Sequence, residues 1–331
     1  MDPKSLELAT PLQILPPVEF CCAYGSSLLS NNNDKTSMVD YILGVLDPIE
    51  WHSKNLERNR HHYSKFMAGL GPKALAWVAN RIGAGVHFNP FVEWKNKEIK
   101  YGVVGVQDLA REVLTWDKFF LCGRLQKPVH VLVDNWDIRK ANLVNLKSAT
   151  SAALLLLPPE FSEEDLYAKI CSLSYTGDLR MLFAEDKNKV NKIVRGSFES
   201  FRSMYSPMLQ EYAVEGLLRS HALSANQKSF KQDYSLSATS SLFSTVICTT
   251  QNQMAPKLQL NKESVKMGSV TSQILVSSRE EAANFVRKAL RRKVMVSSTR
   301  QAVSGFLAAG GATAARYVAR KISKAWKSRT S

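Results

Sequence analysis

Cysteine, long apolar stretches and N-terminal arginine are all scarce in this sequence. The five cysteines form no C-x-x-C pair and no zinc-finger spacing, which excludes a small disulfide-stapled fold and a zinc finger. We therefore expect small buried thiols in a reducing compartment at Cys21, Cys22, Cys122, Cys171 and Cys248.

Patterns typical of membrane-spanning and targeting segments are also missing. No stretch reaches the roughly 20 apolar residues that a membrane-spanning helix requires. Two acids stand among the first seven residues, and the first arginine is Arg58. We therefore expect neither a secretory signal peptide nor an arginine-rich transit peptide at the N-terminus.

The composition is that of a globular protein with an uneven charge. Of the 331 residues, 45% are hydrophobic and 22% are charged, which excludes a wholly disordered chain and a polytopic membrane protein. The net charge is +15; residues 279–331 contain 13 basic and 2 acidic residues, and this tail therefore carries +11 of it. Such a surplus indicates an anionic partner, either nucleic acid, an acidic membrane surface or a phosphorylated substrate.

Residues 1–137 show the patterns of a mixed α and β domain. Short apolar runs bounded by turn residues predict strands, and a 3.6-residue period predicts helices. The predicted strands are 18–24, 38–46, 86–94, 99–104 and 129–133, and the predicted helices are 55–70, 73–82 and 107–116. The strands at 86–94 and 99–104 flank a polar turn, as in a β-hairpin.

Beyond residue 137 the strand signals fade. Residues 138–220 predict a helical domain, with an aliphatic block at 142–157, a cap at Ser162 followed by an acidic first turn, and a helical pattern at 188–205. In 221–278, 26 of 58 residues are Ser, Thr, Asn or Gln. This composition predicts a polar, disordered linker.

The tail at 279–331 has the pattern of a basic amphipathic element. Ser278 and Glu281 form a capping box, after which apolar positions recur at helical spacing opposite four cations. A stretch of 15 uncharged residues, 301–315, precedes a Lys- and Arg-rich end with Trp326. This pattern suits the surface of an anionic membrane; a charged helix packed on the body and a nucleic-acid arm are the alternatives.

The turn after the first predicted strand is the main candidate site. Gly25 and Ser26 follow that strand, and Asp40 lies on the next one, which matches the outline of nucleotidyltransferases. Glycine lets the backbone approach phosphates, a serine hydroxyl and amides bind their oxygens, and the carboxylate holds Mg²⁺. Position 42, where this outline has a second acid, is Ile42; Asp47, Glu93 and Asp178 are candidates to replace it.

Further motifs occur in a fixed order around this turn. They are Tyr24-Gly25-Ser26, Val39-Asp40-Tyr41-Ile42-Leu43-Gly44-Val45, Trp51-His52 with Asn55 and Asn59, His62-Tyr63-Ser64, Lys100-Tyr101-Gly102-Val103, Gly123-Arg124-Leu125-Gln126-Lys127-Pro128 and Leu173-Ser174-Tyr175-Thr176-Gly177-Asp178-Leu179-Arg180-Met181. Together they resemble the Tam41-type mitochondrial phosphatidate cytidylyltransferases, and a plant member in particular. The likeness runs from about residue 16 to about residue 210.

The resemblance implies a fold and an activity. The fold would be α+β, with a nucleotidyltransferase-like mixed-sheet domain followed by a helical, winged-helix-like domain. The activity would be the Mg²⁺-dependent reaction of CTP with phosphatidate to give CDP-diacylglycerol and pyrophosphate, at the matrix face of the mitochondrial inner membrane. Gly25 and Ser26 would bind the triphosphate, and Asp40 the metal.

Physical reasoning assigns further residues to this site. Tyr24 belongs to the turn, and Arg124 with Lys127 would hold phosphate oxygens; solvated cations on a surface turn are the alternative. Asp178 and Arg180 would close the site from the second domain, or else form an interdomain salt bridge. We expect His52 and Asn55 to line the nucleotide pocket or to satisfy buried backbone groups. We assign Ser26, Asp40 and Lys127 to catalysis.

Two other functions use the same features. An RNA nucleotidyltransferase would combine the Gly-Ser turn and Asp40 with a basic tail on RNA. A membrane-attached assembly scaffold would retain a degenerate nucleotide fold. We favour the lipid enzyme, whose partners are CTP, phosphatidate and an anionic membrane, with no nucleic acid.

Overall fold

The computed structural model describes residues 3–32, 38–95, 97–178, 181, 188–224, 227–254 and 276–310. The strands are β1 Phe20–Tyr24, β2 Val39–Val45, β3 His87–Trp94, β4 Lys97–Gly105, β5 His130–Val133, β6 Glu160–Ser162, β7 Leu218–Ser224 and β8 Gln227–Gln232. The helices are α1 Pro3–Ala9, α2 Pro48–Arg58, α3 Lys65–Leu70, α4 Pro72–Trp77, α5 Val106–Thr115, α6 Cys122–Leu125, α7 Trp136–Leu156, α8 Glu163–Leu173, α9 Lys189–Gly196, α10 Phe198–Val214, α11 Leu236–Met254 and α12 Arg279–Ala309.

The first five strands form one mixed sheet in the order β3-β4-β2-β1-β5. Strands β2 and β4 are parallel, and the other neighbours are antiparallel. The predicted α+β class is therefore confirmed, as is the hairpin of β3 and β4. The predicted helix at 55–70 is instead divided into α2, a short 3₁₀ turn and α3, because Asn59 leaves helical geometry and Ser64 caps a new helix.

The sheet separates two apolar layers, because alternate side chains of a strand point to opposite faces. Tyr41 and Leu43 of β2 lie in a core cluster with Trp51 of α2. Ile42 lies in a second and larger cluster with residues of α5 and α7. Asp40 is on the same face of β2 as Ile42, which places it toward the second half of the chain.

The second half combines helices with a small sheet. Strands β6, β8 and β7 form a three-stranded antiparallel sheet in that order. Helix α8 begins at a capping box formed by Ser162 and Asp165, as the sequence pattern predicts. The second sheet shows no clear sequence signal, since β6 has three residues and β7 and β8 are rich in polar residues.

The predicted linker at 221–278 is wrong over the part that the structure describes. Strands β7 and β8 pair within its first residues, and α11 follows. Phe230, Leu242, Phe243 and Val246 are buried in the large core. The many Ser, Thr, Asn and Gln residues conceal a few well-placed apolar side chains that are sufficient for packing; residues 255–275 lie outside the described residues.

Helix α12, the first part of the predicted tail, packs on the protein. Its apolar positions Ala282, Val286, Leu290 and Val294 are almost fully buried in the large core. Arg279 anchors its start by donating hydrogen bonds to Leu154 O and Gln232 Oε1. Among the interpretations of the sequence, a charged helix packed on the body is therefore correct for 279–309; residues 311–331 lie outside the described residues.

No helix among the described residues is both long and apolar enough to cross a membrane. The buried thiols predicted from the sequence are confirmed for Cys21, Cys22, Cys122 and Cys171; the side chain of Cys248 lies outside the described part of the structure.

Candidate functional site

The glycine turn and Asp40 meet at one end of the sheet. Tyr24, the last residue of β1, pairs with Asp40 of β2. Gly25 follows with φ of +121°, a conformation that side chains disfavour, and a Cβ placed there would lie 3.1 Å from Asp40 Oδ2. Ser26 begins a short 3₁₀ turn and is exposed. The structure thus brings Gly25, Ser26 and Asp40 together. Because Gly25 has no side chain, its backbone is not covered on the side of the Asp40 carboxylate.

Lys100 lies beside Asp40 on the neighbouring strand. The parallel register of β2 and β4 pairs the two residues, and Lys100 Nζ is 3.6 Å from Asp40 Oδ1. The ammonium also lies 4.3 Å from the centre of the Phe88 ring. Sequence reasoning assigned no role to Lys100, because only the strand pairing shows which residue of β4 faces Asp40.

Among the acids that could accompany Asp40, Asp47 lies elsewhere, whereas Glu93 and Glu98 share the face of the sheet that carries Asp40. Ile42 is fully buried in the core, and Asp47 accepts hydrogen bonds from the amides of Ile49 and Glu50 as the cap of α2, at the far end of β2. Glu93 pairs with Glu98 across the hairpin. Because Glu98 is two residues from Lys100, both glutamates point to the face of the sheet that carries Asp40, about 7 Å along the strand from Lys100.

These residues fit a magnesium ion that is held largely by its nucleotide. In the described part of the chain, no three His, Cys, Asp or Glu side chains are grouped closely enough to form a metal cage. Mg²⁺ is commonly bound by one or two carboxylates, substrate phosphates and water. Asp40, with glycine backbone beside it that leaves room for phosphates, supplies the minimum protein part of such a set.

A small, partly open cavity lies between the sheet half and the helical half. Its lining comes from the α5–α6 connection, α6, the end of α8 and helix α12. The lining residues are Phe119, Phe120, Gly123, Arg124, Lys127, Ser174, Tyr175, Asp178, Val294, Ser297 and Ser298. We call it the cationic cavity, because Arg124 and Lys127 line it and Lys189 lies 5.2 Å from the ring centre of Tyr175.

Arg124 connects the cationic cavity to the glycine turn. Its guanidinium carbon lies 4.3 Å from the centre of the Tyr24 ring, and Tyr24 is both the pairing partner of Asp40 and the residue before Gly25. Stacking on an aromatic ring orients the guanidinium plane, and a guanidinium is a planar donor suited to phosphate oxygens. The turn and the cavity are therefore adjacent.

Lys127 is a buried lysine at the base of the cavity. Its Nζ donates hydrogen bonds to Ser174 Oγ at 2.6 Å and to Gly123 O. Burial above all, opposed by Cys171 and assisted by the nearby charges of Arg124 and Lys189, lowers the pKa of Lys127 to about 7. An anion in the cavity would restore the charged form of this lysine.

The second half of the chain also reaches the site. Asp178 is buried and lines the cavity, whereas Arg180 lies outside the described residues. The loop after Ser26 rests on α9, where Ser30 N donates to Gly196 O at 3.1 Å and Asn31 Nδ2 donates to Lys192 O at 3.0 Å. Helix α9 therefore holds the glycine turn in position.

His52 and Asn55 lie on the opposite face of the sheet from Asp40. Asn55 Nδ2 donates to the hydroxyls of Tyr63 and Tyr101 at 2.8 Å each, and His52 Nδ1 is 2.9 Å from Tyr63 Oη. Tyr101 points away from Lys100, its neighbour in β4. This placement corrects the expectation that His52 and Asn55 line the nucleotide pocket; both are fully buried and satisfy other side chains.

A glycine turn facing a carboxylate, beside a cationic cavity, is the arrangement expected in the class of proteins that bind polyphosphate ligands. The sequence matches the family described as "Phosphatidate cytidylyltransferase, mitochondrial" over residues 8–324. The chain belongs to this family, which confirms the resemblance inferred from the ordered motifs.

Relatives that carry this name extend over nearly the whole chain. The protein from Bos taurus is 38% identical over 312 residues, which cover 92% of this chain and 90% of the relative. The Danio rerio protein is 34% identical, with the same coverage. The Schizosaccharomyces pombe protein is 32% identical over 322 residues, or 93% of this chain and 80% of the relative.

Proposed function

We propose that this chain transfers the cytidylyl group of CTP to phosphatidate, giving CDP-diacylglycerol and pyrophosphate. The observation that supports this most directly is the adjacency of the Gly25–Asp40 turn and the cationic cavity, joined by the stacking of Arg124 on Tyr24. The name shared by the relatives supplies the substrates, which no feature of the geometry identifies. The product class is a precursor of phosphatidylglycerol and cardiolipin.

The reaction joins two anions, so positioning and charge are its main requirements. An oxygen of the phosphatidate phosphate attacks the α-phosphorus of CTP; a new P–O bond forms, and the bond from that phosphorus to the bridging oxygen of the β-phosphate breaks. The phosphate monoester is already anionic at neutral pH, and no strong general base is needed. Residues that bind both anions in line lower the barrier.

Individual residues take roles consistent with their placement. The backbone at Gly25 and the hydroxyl and amide of Ser26 bind the triphosphate. Arg124, Lys127 and Lys189 bind phosphate oxygens in the cavity, and Asp178 closes its far side. Asp40 would hold Mg²⁺, which when bound neutralises the triphosphate and the departing pyrophosphate. Glu93 and Glu98 supply the other carboxylates on that face of the sheet.

We also assign the two halves to known architectures and a location. The five-stranded sheet with its glycine turn is a nucleotidyltransferase-like domain. The helices α7, α8 and α10, with the β7–β8 hairpin as a wing, form a winged-helix-like domain. The enzyme would act as a peripheral protein on the matrix side of the mitochondrial inner membrane, since its relatives are named mitochondrial and its acceptor is a lipid.

The choice of acceptor tests this proposal. Purified protein is incubated with Mg²⁺ and CTP labelled at the α-phosphate, together with either phosphatidate or RNA. We expect label in a chloroform-soluble product only with phosphatidate, accompanied by release of pyrophosphate. Label in RNA would support an RNA nucleotidyltransferase, and no transfer to either acceptor would favour a scaffold; each of these results contradicts the proposal.

A further inference from the structure

We propose that an apolar face on the body of the protein docks on an anionic lipid bilayer. This hairpin face consists of Phe66, Leu70 and Trp77 on α3 and α4, with Val303 and Phe306 at the end of α12. Each of these side chains is exposed, from 47% for Val303 to 64% for Phe66. Large apolar side chains gathered in this way on a surface commonly mark an interaction site.

The hairpin of α3 and α4 exposes these side chains because of how it packs. Met67 and Leu75 point inward and, with Val78, form a small core on Leu56 of α2. Gly71, with φ of +81°, makes the turn between the two short helices. The residues on the outer side of each helix are as apolar as those inside, but within the described part of the chain they remain exposed.

The end of α12 joins the same region. Leu307 packs against the small core of the hairpin, and Arg300 Nε donates to Ile82 O at 3.1 Å. A Cβ placed at Gly310 would lie 3.6 Å from Cβ of Ser64, the residue that caps α3. With Ser304 and Leu307 facing inward, Val303 and Phe306 remain on the outer side.

The charged residues on α3, on α4 and in the second half of α12 are all basic. Lys73 and Trp77 are four residues apart on α4, which places them on one side of that helix, and Arg81 follows in the π-helical turn Val78–Ile82. The sequence contains no Asp or Glu from residue 58 to residue 92 or from residue 282 to the end. The chain also leaves Gly310, beside Ser64, into residues 311–331, which include six basic and no acidic residues.

An anionic bilayer fits this combination. Interfacial elements place Trp, Phe and Leu about 5–10 Å into the boundary of headgroups and acyl chains, while Lys and Arg meet lipid phosphates. Each cation near the surface contributes to this attraction. We choose a membrane over an acidic protein as the partner of the hairpin face, because the acceptor in the proposed function is a lipid. This choice of partner rests on the proposed function.

The docking surface lies close to the site. Ser297 and Ser298 of α12 line the cationic cavity, and Phe306 follows Ser298 on the same helix by eight residues, or about 12 Å. Docking through the hairpin face would thus bring the cavity wall near the headgroup layer, where phosphatidate is held.

Vesicle sedimentation tests the inference with the full chain. The vesicles contain phosphatidylcholine with one part in five phosphatidate. We expect the variant Phe66→Ala/Trp77→Ala/Phe306→Ala to partition at least about tenfold more weakly than the unsubstituted protein. The matched control Trp136→Ala/Leu143→Ala removes two apolar side chains that are equally exposed, at 60% and 52%, on α7; it should bind as the unsubstituted protein does.

Wild-type partitioning of the hairpin variant, or an equal loss in the control, would overturn the inference. The inference would also be overturned if excess RNA displaced the protein from the vesicles and that RNA bound the protein through Phe66 and Trp77. Turnover of short-chain phosphatidate below its micelle concentration separates this inference from the proposed function. If the unsubstituted protein shows no such turnover, the proposed function fails, and sedimentation still decides whether the hairpin face docks.

Discussion

At the residue scale, Lys127 is the cation whose protonation should govern nucleotide binding. Burial brings its pKa to about 7 in the empty cavity, so binding of a phosphate must take up a proton when the pH is above that value. We expect the dissociation constant for CTP to rise by up to about tenfold per pH unit between pH 7 and 8.5. Calorimetric titration at a series of pH values measures it.

Lys127→Met provides the comparison for that titration. It keeps the length of the side chain and removes its charge, while the nucleotide's own ionisation is unchanged. The variant should bind CTP weakly at every pH, with a shallower pH dependence. The same slope in both proteins would show that Lys127 does not contact the triphosphate.

Three histidines behind the sheet should make the fold sensitive to acid. Burial lowers the pKa of His62 and of His87 to about 4, and burial with the nearby His87 lowers the pKa of His52 well below its ordinary value. The unfolded chain therefore binds more protons as pH falls below 6.5, and stability is lost between about pH 6.5 and 4. Each histidine should contribute about 1.4 kcal/mol per pH unit to that slope.

Urea unfolding at a series of pH values measures the slope of the free energy of unfolding against pH. This slope can be compared between variants that differ in overall stability. His52→Gln should reduce the slope by about one proton, and His221→Gln, at an exposed position, should leave it unchanged. An unaltered slope in His52→Gln would contradict the account.

Sequence reasoning located some site residues and missed others for a clear reason. Gly25, Ser26 and Asp40 are recognisable because a glycine turn and an acid on the next strand form a local pattern. Lys100 acquires its place through strand register, and Lys189 through packing of the two halves. His52 and Asn55 seemed suited to ligand binding by residue type, but which face of the sheet they occupy depends on where α2 packs.

At the element scale, α12 should be essential to the fold. Val286, Leu290 and Val294 are almost fully buried, and about 2 kcal/mol for each side chain amounts to about 6 kcal/mol. That is comparable with the total stability of many proteins, about 5–15 kcal/mol. We therefore expect a chain that ends at Ser278 to lose cooperative thermal unfolding in circular dichroism.

A chain that ends at Gly310 is the control for this truncation. It keeps all of α12 and removes only residues 311–331, six of which are basic, and its melting temperature should be close to that of the full chain. A cooperative, unshifted melt for the chain that ends at Ser278 would mean that α12 is dispensable.

Elements with strong local signals were the ones that could be predicted. The β3–β4 hairpin and the cap of α8 follow from turn and capping residues. The strands β7 and β8 could not be predicted, because β8 gains stability from pairing with β6, whose residues lie more than sixty positions earlier in the chain. The amphipathic pattern of α12 was visible, but the same pattern suits a membrane surface and a protein core.

At the scale of the whole molecule, the two halves share a core and a site. The large apolar cluster includes Ile42 of the sheet, Tyr167 of α8 and Val294 of α12. The cationic cavity takes residues from both sides of the same boundary. The sequence predicts consecutive domains, but composition changes along a chain do not reveal which segments pack together, so the shared core could not be predicted.

We expect the Gly25–Asp40 turn and the cationic cavity to form one site for CTP. The most direct measurement is the turnover of Asp40→Asn with labelled CTP and phosphatidate, beside Asp108→Asn, whose carboxylate forms an exposed pair with Arg111. We predict a loss of at least about 100-fold in kcat for Asp40→Asn with little change in melting temperature, and normal turnover for Asp108→Asn. Turnover of Asp40→Asn within a fewfold of the unsubstituted enzyme would contradict the account.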